Sequence, residues 1–131
     1  MIYLLDVNAL VALGFINHEF HDRLAAWVKS QNSLKMATCS ITELGFVRVL
    51  AEAPAYGFTV TQARTLLLRL KRGRSYPVAF IPDQHDVSHL PAWVKAPKQI
   101  SDGHLSKLAL ANSAILATLD ESIPGSYLIP K

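Results

Sequence analysis

The chain has 131 residues, which allows one domain with a sizeable hydrophobic core and leaves too few for two. Half of the residues are hydrophobic and the mean hydropathy is +0.22, which together exclude an intrinsically disordered chain. The formal net charge is only +3 and the sequence pI is about 9.2, so the charge balance permits a nucleic-acid partner without requiring one.

The single cysteine and the N-terminal residues indicate where the protein works. Cys39 is alone, so an internal disulfide is excluded and a reducing compartment, the cytoplasm, is expected. The apolar N-terminus lacks a positively charged segment and is interrupted by Asp6, so we do not expect a signal peptide. No uncharged run is long enough to span a bilayer. These features predict a single domain over residues 1–131 that does not associate with a membrane.

The predicted elements alternate between strands and helices. A continuous apolar run that ends at Asp6 predicts a buried central strand, followed by a helix from Val7 to about Ile16. Further helices are predicted over Glu19–Ser30, Ser40–Glu52, Thr61–Arg72 and Ser101–Ala111, and further strands over Leu34–Cys39, Val78–Ile81, Ala114–Leu119 and Tyr127–Ile129. The intervening Pro82–Gln99 segment is expected to form a surface loop that could include one helical turn. This alternation predicts an α/β domain with a parallel sheet covered by helices.

Some residues have ordinary structural explanations. Ser40 and Glu43 match a capping box, in which a glutamate reaches back to the first turn of its helix. Asn112 suits a left-handed C-cap. Phe20 and Trp27 are expected in the core, although part of the apolar surface could instead bind a partner helix.

Four carboxylates fall next to predicted strand or helix ends, namely Asp6, Glu43, Asp102 and Asp120. A parallel sheet gathers side chains in such positions at the rim formed by the carboxyl ends of its strands. Each acid alone is explained by helix capping or by the helix dipole. Four together would repel one another without a counter-charge.

A hard divalent cation such as Mg²⁺ or Mn²⁺ would relieve that repulsion, because these ions prefer carboxylate and water oxygens. A cation at this rim could also activate a water and stabilise the leaving oxygen of a phosphodiester. The acids and the mild basicity therefore predict metal-dependent phosphodiester hydrolysis.

Four short motifs carry these acids, in order along nearly the whole chain: Asp6-Val7-Asn8, Ser40-Ile41-Thr42-Glu43-Leu44, Ile100-Ser101-Asp102 and Thr118-Leu119-Asp120. At these residues the sequence resembles the PIN-domain family, in particular the VapC-type toxins of toxin–antitoxin pairs. Two departures stand out. Val7 replaces the threonine that is usual in the family, and Asn112-Ser113 replaces a His-Gly or similar turn.

The resemblance implies a PIN-like (Rossmann-like) three-layer α/β/α domain with a parallel sheet of about five strands in the order 3-2-1-4-5. It implies that one or two Mg²⁺ or Mn²⁺ ions bind at Asp6, Glu43, Asp102 and Asp120, supported by hydrogen bonds from Asn8 and Thr118. The implied activity is endonucleolytic cleavage of RNA by a toxin. The implied partners are a cognate antitoxin and a second copy of the chain.

Other residues leave alternatives open. The basic side chains around the predicted Thr61–Arg72 helix could guide an RNA backbone or form a solvated face; they are Arg64, Arg69, Lys71, Arg72 and Arg74. The pairs His85 and His89, and His18 and His21, have spacings found in zinc sites, but no cysteine or acidic cluster completes a set. His104 follows Asp102 by two residues and is expected at the surface near the pocket rim.

Two alternative functions compete with a nuclease. A catalytically silent PIN-fold module could bind RNA or a partner protein, but the intact set of four acids argues against it. A nucleotide-binding or receiver-like α/β domain would need a glycine-rich phosphate loop or paired acids after the first strand, and the sequence has neither.

Overall fold

The structure, a computed structural model, describes residues 1–73 and 76–131. The strands are β1 (Ile2–Leu5), β2 (Lys35–Cys39), β3 (Val78–Ile81), β4 (Ala114–Thr118) and β5 (Tyr127–Leu128). They form one sheet in the order β3-β2-β1-β4-β5, and every neighbouring pair is parallel. The predicted α/β class and strand order are therefore confirmed.

The helices are α1 (Val7–Gly14), α2 (His21–Ser30), α3 (Ser40–Glu52), α4 (Val60–Arg72) and α5 (Ile100–Ala111). The prediction that α1 continues to Ile16 was wrong. Phe15 is extended and its ring packs edge-on against Tyr56 and Phe58, with centroids 5.0 and 5.5 Å away, which draws the chain out of the helix. The predicted start of α2 at Glu19 was also wrong, because residues 17–20 form turns ahead of His21.

Helices cover both faces of the sheet because successive strand residues point to opposite sides. Leu5 and Met36 pack with α1 to α4 in one core cluster. Leu4 and Ala37 pack with α5 in the other. This arrangement is the three-layer α/β/α architecture that the resemblance implies. Cys39 lies in the second cluster and is fully buried.

Two capping predictions were wrong. Ser40 and Glu43 do not form a capping box, because α3 is capped one residue earlier. The backbone N–H of Cys39 donates to the hydroxyl of Thr42 at 2.9 Å, which leaves the Glu43 carboxylate free of capping. At the end of α5, the left-handed residue is Ser113 (φ 56°) and not Asn112, whose side-chain amide donates to the carbonyl of Leu108.

The segment between β3 and α5 is more ordered than predicted. It contains two short 3₁₀ turns, Val87–His89 and Pro97–Gln99, and packs against α5 at Gly103. Across residues 1–73 and 76–131, no helix has the length and apolar character needed to cross a membrane.

Candidate active site

Asp6 lies where the central strand β1 passes into α1. Its carboxylate caps α1, since Oδ1 accepts a hydrogen bond from the backbone N–H of Ala9 at 2.8 Å. The other oxygen, Oδ2, accepts a hydrogen bond from the hydroxyl of Thr118 at 2.5 Å. Helix capping therefore accounts for Oδ1 of Asp6, whereas Oδ2 faces the end of β4. Only 6% of Asp6 is exposed, so this is a buried acid.

Burial raises the pKa of Asp6 from 3.8 to about 6. The hydrogen bonds from Thr118 and Ala9 lower the pKa, and the negative charges of Asp102 and Asp120 raise it further. Charges must lie near one another to have this effect, so the sheet brings these three acids to one rim.

Asp120 follows β4 and is held by a turn. Its backbone N–H donates to the hydroxyl of Thr118 at 3.0 Å, and its Oδ1 accepts hydrogen bonds from the backbone N–H and the hydroxyl of Ser122 at 2.8 and 2.7 Å. The bonds from Ser122, and the positive charge of Lys98, lower the pKa of Asp120. Asp120 is consequently an ionised, exposed carboxylate at neutral pH.

Asp102 lies in the first turn of α5 and is half-buried. Burial raises its pKa, and the charge of Asp120 raises it further. Asp102 and Asp120 line the same cavity of about 210 Å³, together with Trp93 and Lys98. The segment between β3 and α5 thus supplies one wall of the site.

Glu43 forms a second acidic position on α3, separate from the other three. Its Oε2 accepts a hydrogen bond from the hydroxyl of Thr38, at 2.6 Å, and another from Nζ of Lys71, also at 2.6 Å. Its charge is not among those that perturb the pKa of Asp6 or Asp102. The structure therefore couples three of the four predicted acids and pairs the fourth with a lysine.

The two predicted supporting residues differ in their contacts. Thr118 is fully buried and connects Asp6 with the backbone of Asp120. Asn8 is exposed on α1 and shares a second cavity, of about 670 Å³, with Asp120. Val7, which stands in place of a threonine, packs on Gly45 of α3, where an added Cβ would approach Val7 Cγ2 to 2.5 Å.

The carboxylates at the rim are chemically suited to bind a hard cation, but their side chains are not arranged around a single ion. The carboxyl oxygens of Asp6, Asp102 and Asp120 are ligands that Mg²⁺ and Mn²⁺ prefer, and their mutual repulsion is the kind that a cation relieves. Among the residues that the structure describes, however, no three His, Cys, Asp or Glu side chains lie close enough together to hold one metal ion. Binding would require these side chains to close around the ion.

The predicted basic residues have different surroundings. Lys71 pairs with Glu43 and lies 5.4 Å from the ring centroid of Phe80. Arg69 and Arg72 are exposed on α4. Arg74 lies outside the described residues.

The predicted histidine pairs have other contacts. The rings of His85 and His89 stack with centroids 4.0 Å apart, and His21 Nδ1 lies 2.8 Å from the carbonyl oxygen of Ala12. His104 is partly exposed and pairs with Asp83.

Sequence reasoning missed Thr38, Lys98 and Ser122, and it missed Lys71 as a partner of Glu43. One signal could have found Thr38. Like Thr118, it is a threonine near the end of a strand, and each hydroxyl donates to a carboxylate, Thr38 to Glu43 and Thr118 to Asp6. The positions of Lys71 and Lys98 depend on helix packing and on the β3–α5 segment, which local patterns do not specify.

Sequence comparison finds curated relatives along almost the full chain. The chain is 36% identical to Ribonuclease VapC44 of Mycobacterium tuberculosis over 126 residues, which cover 92% of this chain and 87% of that protein. It is 34% identical to Ribonuclease VapC38 of the same species, over 92% of this chain and 86% of that protein. No family model matches the chain.

Two solved structures share the fold. The crystal structure of VapBC2 from Rickettsia felis bound to a promoter DNA fragment superposes with a TM-score of 0.59 at 16% identity, covering 98% of this chain and 97% of that chain. The structure of Mycobacterium tuberculosis VapC20, described as a sarcin-ricin loop cleaving toxin, gives a TM-score of 0.60 at 8% identity, covering 92% of each chain. At these identities the likeness concerns the fold alone.

Proposed function

The chain belongs to the VapC family of PIN-domain ribonuclease toxins, and from this premise we propose that it is a metal-dependent endoribonuclease. The reaction is hydrolysis of an RNA phosphodiester bond. One observation carries the proposal: at the carboxyl rim of the sheet, the charges of Asp102 and Asp120 raise the pKa of Asp6, and the charge of Asp120 raises the pKa of Asp102. This rim lies where the strand order reverses between β1 and β4, which is the usual ligand site of such sheets.

Asp6, Glu43, Asp102 and Asp120 would hold one or two Mg²⁺ or Mn²⁺ ions. A bound ion would supply polarisation of the scissile phosphate and a lowered pKa for the attacking water. Thr118 would orient the Asp6 carboxylate.

Lys71 and Thr38 would orient Glu43, because each donates to the same oxygen of that carboxylate. Ser122 would keep Asp120 ionised, because its two hydrogen bonds favour the charged form. Arg69 and Arg72 would attract the RNA backbone from the exposed side of α4.

The same premise extends to partners. We propose that an antitoxin protein binds this chain, and the structure of VapBC2 from Rickettsia felis bound to a promoter DNA fragment supports this. We also propose that two copies form a homodimer, on the family resemblance alone. The lone Cys39 is compatible with the reducing cytoplasm as the place of action.

A second candidate is a catalytically silent module that binds RNA or a partner protein. The observation in its favour is that the described residues hold no three His, Cys, Asp or Glu side chains already arranged for one metal ion. A silent module would bind RNA with equal affinity in Mn²⁺ and in EDTA and would cleave none.

The test is RNA cleavage by the purified protein, free of antitoxin, on structured and unstructured RNAs in Mg²⁺, Mn²⁺ or EDTA. Asp102→Ala is the test variant, and Asp22→Ala, an exposed acid on α2, is the matched control. We expect metal-dependent cleavage by the wild type and by Asp22→Ala, with loss in Asp102→Ala. Equal cleavage by all three proteins would identify a contaminant, and binding without cleavage would favour the silent module.

A further inference from the structure

A larger cavity lies beside Asp120, next to the proposed cation site. Its volume is about 670 Å³, within the ~300–1,000 Å³ typical of small-ligand pockets. Besides Leu119 and Asp120, it is lined by Asn8, Asn17, His18, Glu19, Phe20 and Tyr56. Asp120 separates it from the smaller cavity that contains Asp102. A ligand in the larger cavity would therefore lie next to the acidic rim.

The chemistry of the lining favours a neutral, flat, polar group. Among residues 1–73 and 76–131, no lysine or arginine lines the cavity, whereas the carboxylates of Glu19 and Asp120 do, so a phosphate would be repelled. Phe20 was predicted in the core, yet it is 39% exposed and opens onto the cavity. Unpaired nucleobases bind proteins by stacking on aromatic rings and by hydrogen bonds to their polar edges.

The polar groups needed to bind a base edge are present. The side-chain amides of Asn8 and Asn17 make no hydrogen bond to any residue within 1–73 or 76–131, and each amide can donate and accept. His18 accepts the backbone N–H of Phe20 at Nδ1, at 3.0 Å, which leaves its Nε2 as the N–H donor of the neutral ring. Burial lowers the pKa of His18, which favours that neutral form.

We infer that this cavity is a subsite for one unpaired nucleobase of the RNA substrate, adjacent to the scissile phosphate at Asp120. This inference rests on the proposed ribonuclease function and adds the means by which the cleavage position is chosen. The base stacks on Phe20, and Asn17 and His18 hydrogen-bond its edge. A base in this cavity fixes which phosphate of the strand lies over Asp102 and Asp120.

The first experiment measures binding without cleavage. Short unstructured RNAs that carry the fluorescent base 2-aminopurine at single positions are titrated with the protein in EDTA. We expect a change in fluorescence at one position, a loss of affinity of about tenfold in Phe20→Ala and Phe20→Leu, and retention in Phe20→Tyr, because stacking needs an aromatic face. Asn17→Ala should also bind more weakly, whereas the control Asn32→Ala, an exposed asparagine ahead of β2, should not.

The second experiment measures cleavage by the same variants, with circular dichroism confirming that each is folded. We expect the KM of Phe20→Ala to rise about tenfold with a smaller change in kcat, and the preferred cleavage positions to broaden. The subsite proposal would be overturned if Phe20→Ala, Phe20→Leu and Asn17→Ala all kept the RNA affinity, the KM and the cleavage positions of the wild type.

The two proposals fail in different ways. If the wild type cleaves no RNA, the ribonuclease assignment fails, and the 2-aminopurine titration still decides whether a base binds at Phe20. If cleavage is robust and unaffected by these variants, the ribonuclease stands and the base subsite is wrong.

Discussion

Lys71 of α4 reaches across to α3 and donates a hydrogen bond to Oε2 of Glu43 at 2.6 Å. Both side chains are largely shielded, with 23% and 22% exposed. Thr38 donates to the same oxygen, so Oε2 is occupied by two donors, while Oε1 has no hydrogen-bond partner within the described residues. The lysine therefore neutralises Glu43 in the metal-free protein and leaves one oxygen available to a cation.

Replacing Lys71 by methionine should destabilise the metal-free protein, because a shielded carboxylate loses its counter-charge. We expect a loss of about 1–3 kcal/mol in the free energy of unfolding, measured by urea denaturation in EDTA. Mn²⁺ should then raise the melting temperature more than in the wild type, because the cation no longer competes with Lys71. Lys29→Met, an exposed lysine on α2, is the control. If Mn²⁺ raised the melting temperature equally in Lys71→Met and in the wild type, Lys71 would have no influence on metal binding at Glu43.

Asp6 should make the metal-free protein less stable as the pH rises. Its pKa is about 6 in the folded protein and 3.8 as the unperturbed reference, so the unfolded chain releases the proton first. The free energy of unfolding is therefore highest below about pH 4 and falls between pH 4 and 6. Above pH 6 it is lower than at pH 4 by at most about 3 kcal/mol. Asp6→Asn, which can still cap α1, should match the wild type near pH 4 and exceed it at pH 8.

The measurement for Asp6→Asn is urea denaturation in EDTA at both pH values, with and without Mn²⁺. The substitution should also reduce stabilisation by Mn²⁺, because a ligand charge is lost. A stability difference that is the same at pH 4 and pH 8 would contradict a raised pKa for Asp6.

Much of this arrangement is predictable from sequence because it depends on strand order and on local patterns. The apolar run ending at Asp6 and the strand ending ahead of Asp120 mark the two strands that meet at the centre of the sheet. The true partners of Glu43 were not predictable in the same way. A glutamate three residues after Ser40 matches a capping box, but the competing contact with Lys71 arises from the packing of α4 on α3, 28 residues away.

Thr118 should be needed for both stability and the ionisation of Asp6. Thr118→Val preserves the shape but removes a donor to Asp6 and the acceptor of the Asp120 N–H. We expect a loss of about 1–3 kcal/mol in unfolding free energy. The acidic limb of the cleavage pH profile should also move to higher pH, since the hydrogen bond lowers the pKa of Asp6. Thr65→Val, at an exposed position of α4, serves as the control, and an unchanged pH profile would argue against this role.

Gly103 should fix how closely the β3–α5 segment approaches Asp102. A Cβ at this position would lie 2.2 Å from Val94 Cγ2 and 3.2 Å from Pro91 Cδ. Gly103→Ala should therefore cost about 1–3 kcal/mol through overpacking and reduce cleavage, although alanine normally favours a helix. Adding Val94→Ala to Gly103→Ala should restore most of the stability and most of the cleavage activity, because it removes the clashing methyl group. Failure of the double variant to recover would show that the close approach is not the cause.

The most direct test of the central claim is Mn²⁺ binding to the metal-free protein, measured by isothermal titration calorimetry. The account predicts saturable binding to the wild type, unchanged binding to the exposed-acid control Asp22→Asn, and binding weakened at least tenfold in Asp102→Asn. The claim that Asp6, Asp102 and Asp120 form a cation site would be contradicted by no saturable binding to the wild type, or by equal affinity in all three proteins.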